Sequence, residues 1–188
     1  MLDMAAELIS DAETRMGKSL EALRREMSTV RTGRASPSVL DGVSVEYYGA
    51  PTPLNQLATV SAPDATLLVV QPYDRKAIGD IERGILKAGL GLNPSNDGSV
   101  IRLAMPQPTE ERRRDLVKLV KQQAEGARVA VRNIRRDAID QLRALERGKE
   151  ISQDETHRFQ DRVQKLTDTF VGQIDSSATS KEAEVMEV

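Results

Sequence analysis

Hydrophobic residues recur at alternating spacings of four and three over three stretches of the chain. In the first stretch, residues 1–30, these positions are Leu2, Ala5, Ile9, Ala12, Met16, Leu23, Met27 and Val30. This spacing is typical of a helix that buries one side in a bundle or coiled coil. We therefore expect one amphipathic helix that ends before Thr32 and Gly33.

The same spacing returns after Pro106 and Pro108. Thr109 is a suitable N-cap and Arg147–Gly148 a suitable C-terminus for a second long helix. Its expected buried positions are Val117, Val120, Ala124, Ala127, Val131, Ile134, Ala138 and Leu145. A third helix should begin at the capping box Ser152–Glu155. Its expected apolar positions are Phe159, Val163, Leu166, Phe170 and Ile174, and its extent after Ile174 is left open.

Between the first two helices, residues 31–105 change to the two-residue alternation of strands. Expected strands cover residues 43–47, 57–62, 66–71 and 100–105. Asp74 is a suitable N-cap for a short helix that Gly89 and Gly91 would end. Proline-, glycine- and asparagine-rich turns are expected at residues 49–53, 63–64 and 93–98.

Together these elements predict an α+β protein with two domains. Residues 1–30 and 106–188 would form a long antiparallel three-helix bundle, and residues 31–105 a small inserted domain. Two short connections would join them, which favours a hinge because few contacts need to cross. The expected hinge residues are Thr32, Gly33, Arg34, Pro37, Met105, Pro106 and Pro108.

The second helix carries basic residues on one side. Residues 112–147 hold eleven Lys/Arg against five Asp/Glu, in a chain whose formal net charge is −2. At about 100° per residue, most of these cations fall within an arc of roughly 120°. This basic stripe consists of Arg114, Lys118, Lys121, Arg128, Arg132, Arg135, Arg136, Arg143 and Arg147. Such a one-sided field can bind a polyanion.

Within the stripe, arginine predominates from Arg128 onwards, and arginine suits bidentate contacts with phosphate. Asn133 can bond a base edge or a phosphate. Arg31 and Arg34, on either side of Gly33, are further candidates for phosphate contact. On the residues alone, RNA or DNA binding competes with a solvated or protein-binding face.

Motifs for catalysis, metals and membranes are missing from the sequence. There is no cysteine, no glycine-rich phosphate loop, and one histidine, His157, which we expect to be solvated. No apolar run approaches the ~20 residues of a membrane span, and the acidic N-terminus is unlike a signal or transit peptide. We therefore expect no enzyme activity, no metal, no membrane partner and a cytoplasmic location.

Five blocks of sequence resemble the bacterial ribosome recycling factor family and occur in that family's order. They are residues 31–37, 45–54, 91–94, 109–113 and 127–137, and the resemblance covers nearly the whole chain. It implies an L-shaped, hinged molecule: a three-helix bundle with an inserted β/α/β domain, without catalytic site or cofactor.

The resemblance also implies a function. Such a factor, acting as a monomer, binds the large subunit of the 70S post-termination ribosome. With elongation factor G and its GTP hydrolysis it splits the ribosome, so that mRNA and tRNA are released. The matching rRNA-binding positions are Arg132, Asn133, Arg135 and Arg136, with Arg128 and Arg31 as weaker candidates. A general RNA-binding protein, a coiled-coil adaptor and an enzyme are the alternative classes.

Overall fold

The structure is a computed structural model that describes residues 2–187, apart from the side chains of Leu2 and Asp3. The helices are α1 Leu2–Ser28, α2 Leu54–Leu57, α3 Ile78–Lys87, α4 Glu110–Arg147 and α5 Gln153–Met186. The strands are β1 Ser44–Tyr47, β2 Ala50–Pro53, β3 Ala58–Asp64, β4 Leu67–Pro72, β5 Pro94–Asn96 and β6 Ile101–Ala104. This combination of long helices with small antiparallel sheets confirms the predicted α+β class.

The three long helices form the first of two compact units, which contains α1 and the range Arg114–Ala183. Helices α1 and α4 are antiparallel: Arg15 pairs with Asp137 at 3.0 Å, whereas Leu23, further along α1, shares a groove with Leu119 of α4. Helices α4 and α5 are antiparallel for the same reason, since Arg128 contacts Asp175 and Arg135 contacts Gln164.

The core of the first unit is aliphatic and follows the predicted spacing closely on α1. Each expected position from Ala5 to Val30 is buried, and Leu20 joins them; the side chain of Leu2 lies outside the described residues. On α4 the buried residues are Leu116, Val120, Ala124, Ala127, Val131, Ile134, Ala138 and Leu142.

Two expected core positions of α4 were wrong. Val117 and Leu145 are only partly buried, and Leu116 and Leu142 occupy the core in their place. A straight helix has 3.6 residues per turn, so a strict heptad pattern drifts around it over such a length. The buried positions accordingly follow two successive spacings of four at each end of α4, residues 116, 120, 124 and residues 134, 138, 142, in place of the alternation of three and four.

Helix α5 continues to Met186, well beyond Ile174. Phe159, Val163 and Ile174 are buried as expected, whereas Leu166 and Phe170 are half-buried. Further buried positions on this helix are Thr156, Thr167, Ala178 and Val185.

The ends of the long helices are capped by local side chains and backbone. Ser152 N donates to Glu155 Oε2 at 2.7 Å and Glu155 N donates to Ser152 Oγ at 3.2 Å, which confirms the capping box. Thr109 Oγ1 accepts from Arg112 N at 3.2 Å at the start of α4. At its end the left-handed residue is Lys149, with φ of 58°, rather than Gly148. Glu150 N donates to Leu145 O and Lys149 N to Glu146 O, the pattern of a Schellman motif.

The second compact unit contains Arg31–Arg113 and the end of α5 from Glu184. Strands β1 and β2 pair as a hairpin, and a four-stranded antiparallel sheet has the order β3-β4-β6-β5. Helix α3 packs on β1, where a β-carbon on Gly84 would lie 3.0 Å from Ser44 O. The core includes Val45, Leu68, Val70, Ile81, Ile85, Ile101 and Leu103.

Three predicted turns of this unit were wrong or displaced. Strand β1 ends at Tyr47, and the turn consists of Tyr48 and Gly49, which adopt positive φ of 50° and 76°. Ala50–Pro53, expected to be part of a turn, form β2. Paired positive φ values make the tight turn that suits a two-residue hairpin. Pro51 and Pro53 are tolerated in β2 because this sheet has only two strands, so each is an edge.

The other two predicted turns differ in position and in extent, and the predicted N-cap precedes a different helical turn. The turn expected at residues 63–64 lies at Ala65–Thr66, where Asp64 Oδ1 accepts from Thr66 N at 2.8 Å. Residues 93–98 include strand β5, which pairs with β6. Asp74 is an N-cap as expected, but it caps a 3₁₀ turn just before α3, accepting from Lys76 N at 2.9 Å.

The border between the compact units lies within α4, at Arg113–Arg114, and not at residues 105–108.

Among the described helices, none combines the length and apolar character that crossing a membrane would require.

Candidate nucleic-acid interface

Five residues in the middle of α4 form the candidate interface, which we call the central patch: Arg128, Arg132, Asn133, Arg135 and Arg136. Backbone hydrogen bonding within one helix fixes their spacing, and their stems emerge beside the buried positions Val131 and Ile134. Arg132, Asn133 and Arg136 are exposed, whereas Arg128 and Arg135 are half-buried. The predicted patch therefore divides into exposed and packed members.

Arg128 is held by two carboxylates. Its Nε donates to Asp175 Oδ1 on α5 at 2.8 Å, and its Nη1 donates to Glu125 Oε2 at 2.9 Å. Its side chain is 24% exposed. Burial lowers the pKa of the Arg128 guanidinium, but the hydrogen bonds to Asp175 and Glu125 outweigh burial and raise it. Arg128 thus fastens α4 to α5 and has little free donor capacity.

Arg135 also contacts α5. Its Nη1 donates to Gln164 Oε1 at 3.1 Å, and Gln164 in turn donates to Asp168 at 2.8 Å. The Nε of Arg135 is buried without a hydrogen-bond partner. This side chain is positioned by packing and a neutral amide, and none of the described carboxylates forms a direct ion pair with it.

Arg132, Asn133 and Arg136 point to solvent with few competing contacts. Arg132 Nη1 lies 3.3 Å from Glu125 Oε1, and its side chain is 44% exposed. Within the described residues, Arg136 and Asn133 make no ion pair or side-chain hydrogen bond. The donors of Arg136 and Asn133 are therefore available to an external partner.

Arg31 is exposed and belongs to the second unit. Arg34 is exposed too, and its Nη1 lies 3.3 Å from Glu187 Oε2. These two arginines thus belong to a different compact unit from the central patch.

The predicted hinge residues are more tightly held than a loose linker. Thr32 is buried, and Gly33 has φ of 79°. A β-carbon on Gly33 would lie 2.7 Å from Pro108 Cδ and 3.3 Å from Pro106 O, so the two connections touch there. Only glycine combines this φ with so close an approach.

The same connections are bonded to one turn of the sheet. Ala35 N donates to Ala65 O at 2.7 Å, and Met105 N donates to Thr66 O at 2.8 Å. Pro37 starts a 3₁₀ turn that Ser36 caps. Both connections are therefore fixed to the β3–β4 turn within the second unit.

Some residues that shape the interface were not expected from the sequence. Glu125 could have been found, because it precedes Arg128 by three positions, the spacing of a helical ion pair. Asp175 and Gln164 carry no such signal, since they lie on another helix far along the chain. His157 is exposed on α5, as expected.

No group of three His, Cys, Asp or Glu side chains in residues 4–187 is arranged to hold a metal ion. Three carboxyl groups have a pKa below the ordinary value because they accept backbone hydrogen bonds. Glu155 does so in the helix cap, and Asp97 and Asp64 do so in turns.

Comparisons with known proteins agree with this architecture. The family model described as ribosome recycling factor matches residues 23–186. The chain is 58% identical over 185 residues to the ribosome-recycling factor of Halalkalibacterium halodurans, covering 98% of this chain and 100% of that protein. It is 56% identical over 178 residues to that of Natranaerobius thermophilus, covering 95% and 97%.

Two solved structures extend the comparison. A solution structure of the ribosome recycling factor is 40% identical, covers 100% of both chains and has a TM-score of 0.72. A second is 48% identical, covers 97% and 98%, and has a TM-score of 0.63. This second structure comes from models for the T. thermophilus ribosome recycling factor and the E. coli elongation factor G bound to the E. coli post-termination complex. The chain belongs to the ribosome recycling factor family.

Proposed function

We propose that this chain binds the large subunit of the post-termination ribosome through the central patch of α4. With elongation factor G, and with GTP hydrolysed by that factor, it splits the ribosome into subunits and so allows mRNA and tRNA to be released. It acts as a cytoplasmic monomer and performs no chemistry itself. Family membership supports this proposal, as does the relative described with elongation factor G on a post-termination complex.

The observation that carries the binding step is the exposure of Arg132, Asn133 and Arg136 on a 38-residue helix. Arginine forks can donate two hydrogen bonds to a phosphate, and an asparagine amide can bond a phosphate or a base edge. Folded RNA is recognised largely through its shape and backbone. In this proposal Arg128 and Arg135 add charge and hold α4 on α5, whereas the three exposed residues make the contacts.

The splitting step requires the second unit to move while the bundle stays bound. The second unit carries seven basic and seven acidic residues over positions 31–105, so its own attraction to rRNA is weak. In the proposal elongation factor G pushes this unit, and the connections near Gly33 and Pro108 transmit the force. Arg31 and Arg34 contribute to rRNA contact at most weakly.

Light scattering of purified post-termination ribosomes tests the whole function. Adding the protein, elongation factor G and GTP should lower the scattering as subunits separate. A non-hydrolysable GTP analogue should prevent the drop. If scattering stays constant with GTP while a known recycling factor splits the same ribosomes, the proposal is wrong.

Binding to isolated large subunits tests the central patch separately. Arg136→Ala should weaken binding and lower the slope of log K against log salt by about one phosphate contact. Arg158→Ala, an exposed arginine on α5 outside the basic stripe, is the matched control and should leave both unchanged. Equal behaviour of the two variants would contradict a specific role for the patch.

Two further measurements distinguish the alternative classes: binding to unstructured RNA, and sedimentation. A general RNA-binding protein would bind unstructured RNA as tightly as subunits. A coiled-coil adaptor would sediment as a dimer, whereas the proposal requires a monomer.

A further inference from the structure

A glutamate lies within the basic stripe and contacts two of its arginines. Glu125 Oε2 accepts from Arg128 Nη1 at 2.9 Å, while Glu125 Oε1 lies 3.3 Å from Arg132 Nη1. The three residues are one and two helical turns apart, so their side chains share one side of α4. Each oxygen of a single carboxylate thus faces a different guanidinium.

The two arginines depend on Glu125 to different degrees. Arg128 also contacts Asp175, at 2.7 Å from Nη2 and 2.8 Å from Nε, and is 24% exposed. Arg132 is 44% exposed, and Glu125 is its ion-pair partner among the described residues. Removing Glu125 would leave Arg128 paired but would free Arg132.

The carboxylate of Glu125 contacts the guanidinium of Arg132 in the way that an RNA phosphate would. Both groups are anions that present oxygen atoms to the N–H fork of a guanidinium. An exposed pair with one contact at 3.3 Å is weak and opens readily. Binding of RNA to Arg132 must therefore exchange one anion for another.

We propose that Glu125 limits the affinity of this protein for rRNA by competing with phosphate for Arg132. This inference rests on the proposed function, because it assumes that Arg132 contacts rRNA. Its consequence is faster release: a factor that acts repeatedly must leave the subunit after each round. Glu125 is a positioning residue in this scheme and makes no contact with the RNA.

Equilibrium binding and dissociation of the Glu125→Gln variant on large subunits test the idea. The amide keeps the shape but loses the charge, and the site is exposed, so the fold should be preserved. We expect about two- to fivefold tighter binding at low salt, expressed mainly as slower dissociation. Asp115→Asn is the matched control, since Asp115 is exposed on the same helix and has no described ion pair. It changes net charge equally and should give a smaller gain.

A double-mutant cycle with Arg132→Ala separates direct competition from general charge. If Glu125 acts through Arg132, the gain from Glu125→Gln disappears in the Arg132→Ala background. If the gain persists there, or equals that of Asp115→Asn, the proposal is wrong. Normal multiple-turnover splitting by Glu125→Gln, together with unchanged dissociation, would also overturn it.

The same data distinguish failure of this inference from failure of the proposed function. If the wild-type protein does not bind large subunits, the proposed function itself is wrong. If the wild type binds and Arg132→Ala weakens that binding, the function stands, and the cycle alone decides the role of Glu125.

Discussion

The two compact units bury apolar surface in opposite ways. In the first unit three long helices pack along repeated aliphatic positions such as Ile9, Val120 and Ile174, and each helix satisfies its own backbone. In the second unit, strands of three to seven residues must pair with distant strands before any core exists. The first unit is therefore set by side-chain period, and the second by turns and pairing.

The two units also differ in the distribution of their charged residues. The basic stripe runs along a helix of the first unit, whereas positions 31–105 carry equal numbers of acidic and basic residues. A straight helix can present charge at fixed intervals over a long distance, which suits a polyanion. Short strands joined by turns offer no such row. The unit with the simpler sequence pattern thus also carries the proposed RNA-binding surface.

The largest effects should come from core truncations, one in each unit. Leu142→Ala on α4 and Leu68→Ala on β4 each remove a fully buried side chain, and each should cost about 2–5 kcal/mol. If the units are independent, hydrogen exchange should accelerate mainly in the unit that carries the substitution. Equal acceleration of both units by either variant would show that the two units unfold together.

Glycine substitutions at the connections should have the next largest effect. Gly33→Ala combines the left-handed backbone with a 2.7 Å approach to Pro108 Cδ, whereas Gly42→Ala has φ of 82° and open space. Gly42→Ala should cost about 1–2 kcal/mol, and Gly33→Ala more.

Binding and splitting assays of these two variants test whether the connection at Gly33 transmits force. Gly33→Ala should retain large-subunit binding but split ribosomes slowly, because the connection is distorted and the central patch is not. Gly42→Ala should split normally once folding is confirmed by circular dichroism. Normal splitting by Gly33→Ala would argue against force transmission through this connection.

Within the first unit, substitution of two arginines of the central patch should have contrasting effects, one mainly on stability and the other mainly on subunit binding. Arg128→Ala loses the contacts with Asp175 and Glu125 and should lower the free energy of unfolding by about 1 kcal/mol, measured by urea denaturation. Arg136→Ala should change stability by less than about 0.5 kcal/mol but should weaken subunit binding. If Arg128→Ala weakens binding more than Arg136→Ala without loss of stability, the division into packed and exposed members is wrong.

The smallest effect concerns acid stability of the second unit. Backbone hydrogen bonds from Val100 and Ser99, followed by the bond from Arg102, hold the pKa of the Asp97 carboxyl well below its ordinary value of 3.8. A depressed folded pKa contributes stability above the unfolded pKa, and this contribution is lost as pH falls below about 3.8 towards the folded pKa. Carboxyl NMR should show Asp97 ionised when exposed aspartates are protonated.

Asp97→Asn is the companion variant. Its unfolding free energy should fall less steeply between pH 4 and pH 2, as about one titrating group is removed. Superimposable pH profiles for Asp97→Asn and the wild type would contradict the assignment.

The sequence allowed good prediction of the first unit because helix period is a local property. The remaining errors, Val117 for Leu116 and Leu145 for Leu142, reflect drift of a heptad pattern around a 3.6-residue helix. The exposure of Arg136 also followed from this period. By contrast, Asp175 neutralises Arg128 from another helix, and no rule of spacing along the chain could have identified it.

The second unit was harder to predict for a physical reason. Strand pairing depends on partners far along the chain, so short strands such as Pro94–Asn96 have little local signal. Prolines in Ala50–Pro53 indicate a break when read alone, although a two-stranded sheet tolerates them. Tyr48, with its positive φ, occupies a turn position where asparagine or glycine is usual, so the hairpin was missed.

One feature of the second unit bears on how such a protein can be rearranged. The entering and leaving chains are each bonded to the Ala65–Thr66 turn, through Ala35 and Met105. The ends of the inserted segment are therefore close together, so its presence imposes little loop-closure entropy on the chain around it. We therefore expect that this segment can be deleted and replaced by a few residues. We also expect that it tolerates circular permutation through a short linker that joins its ends.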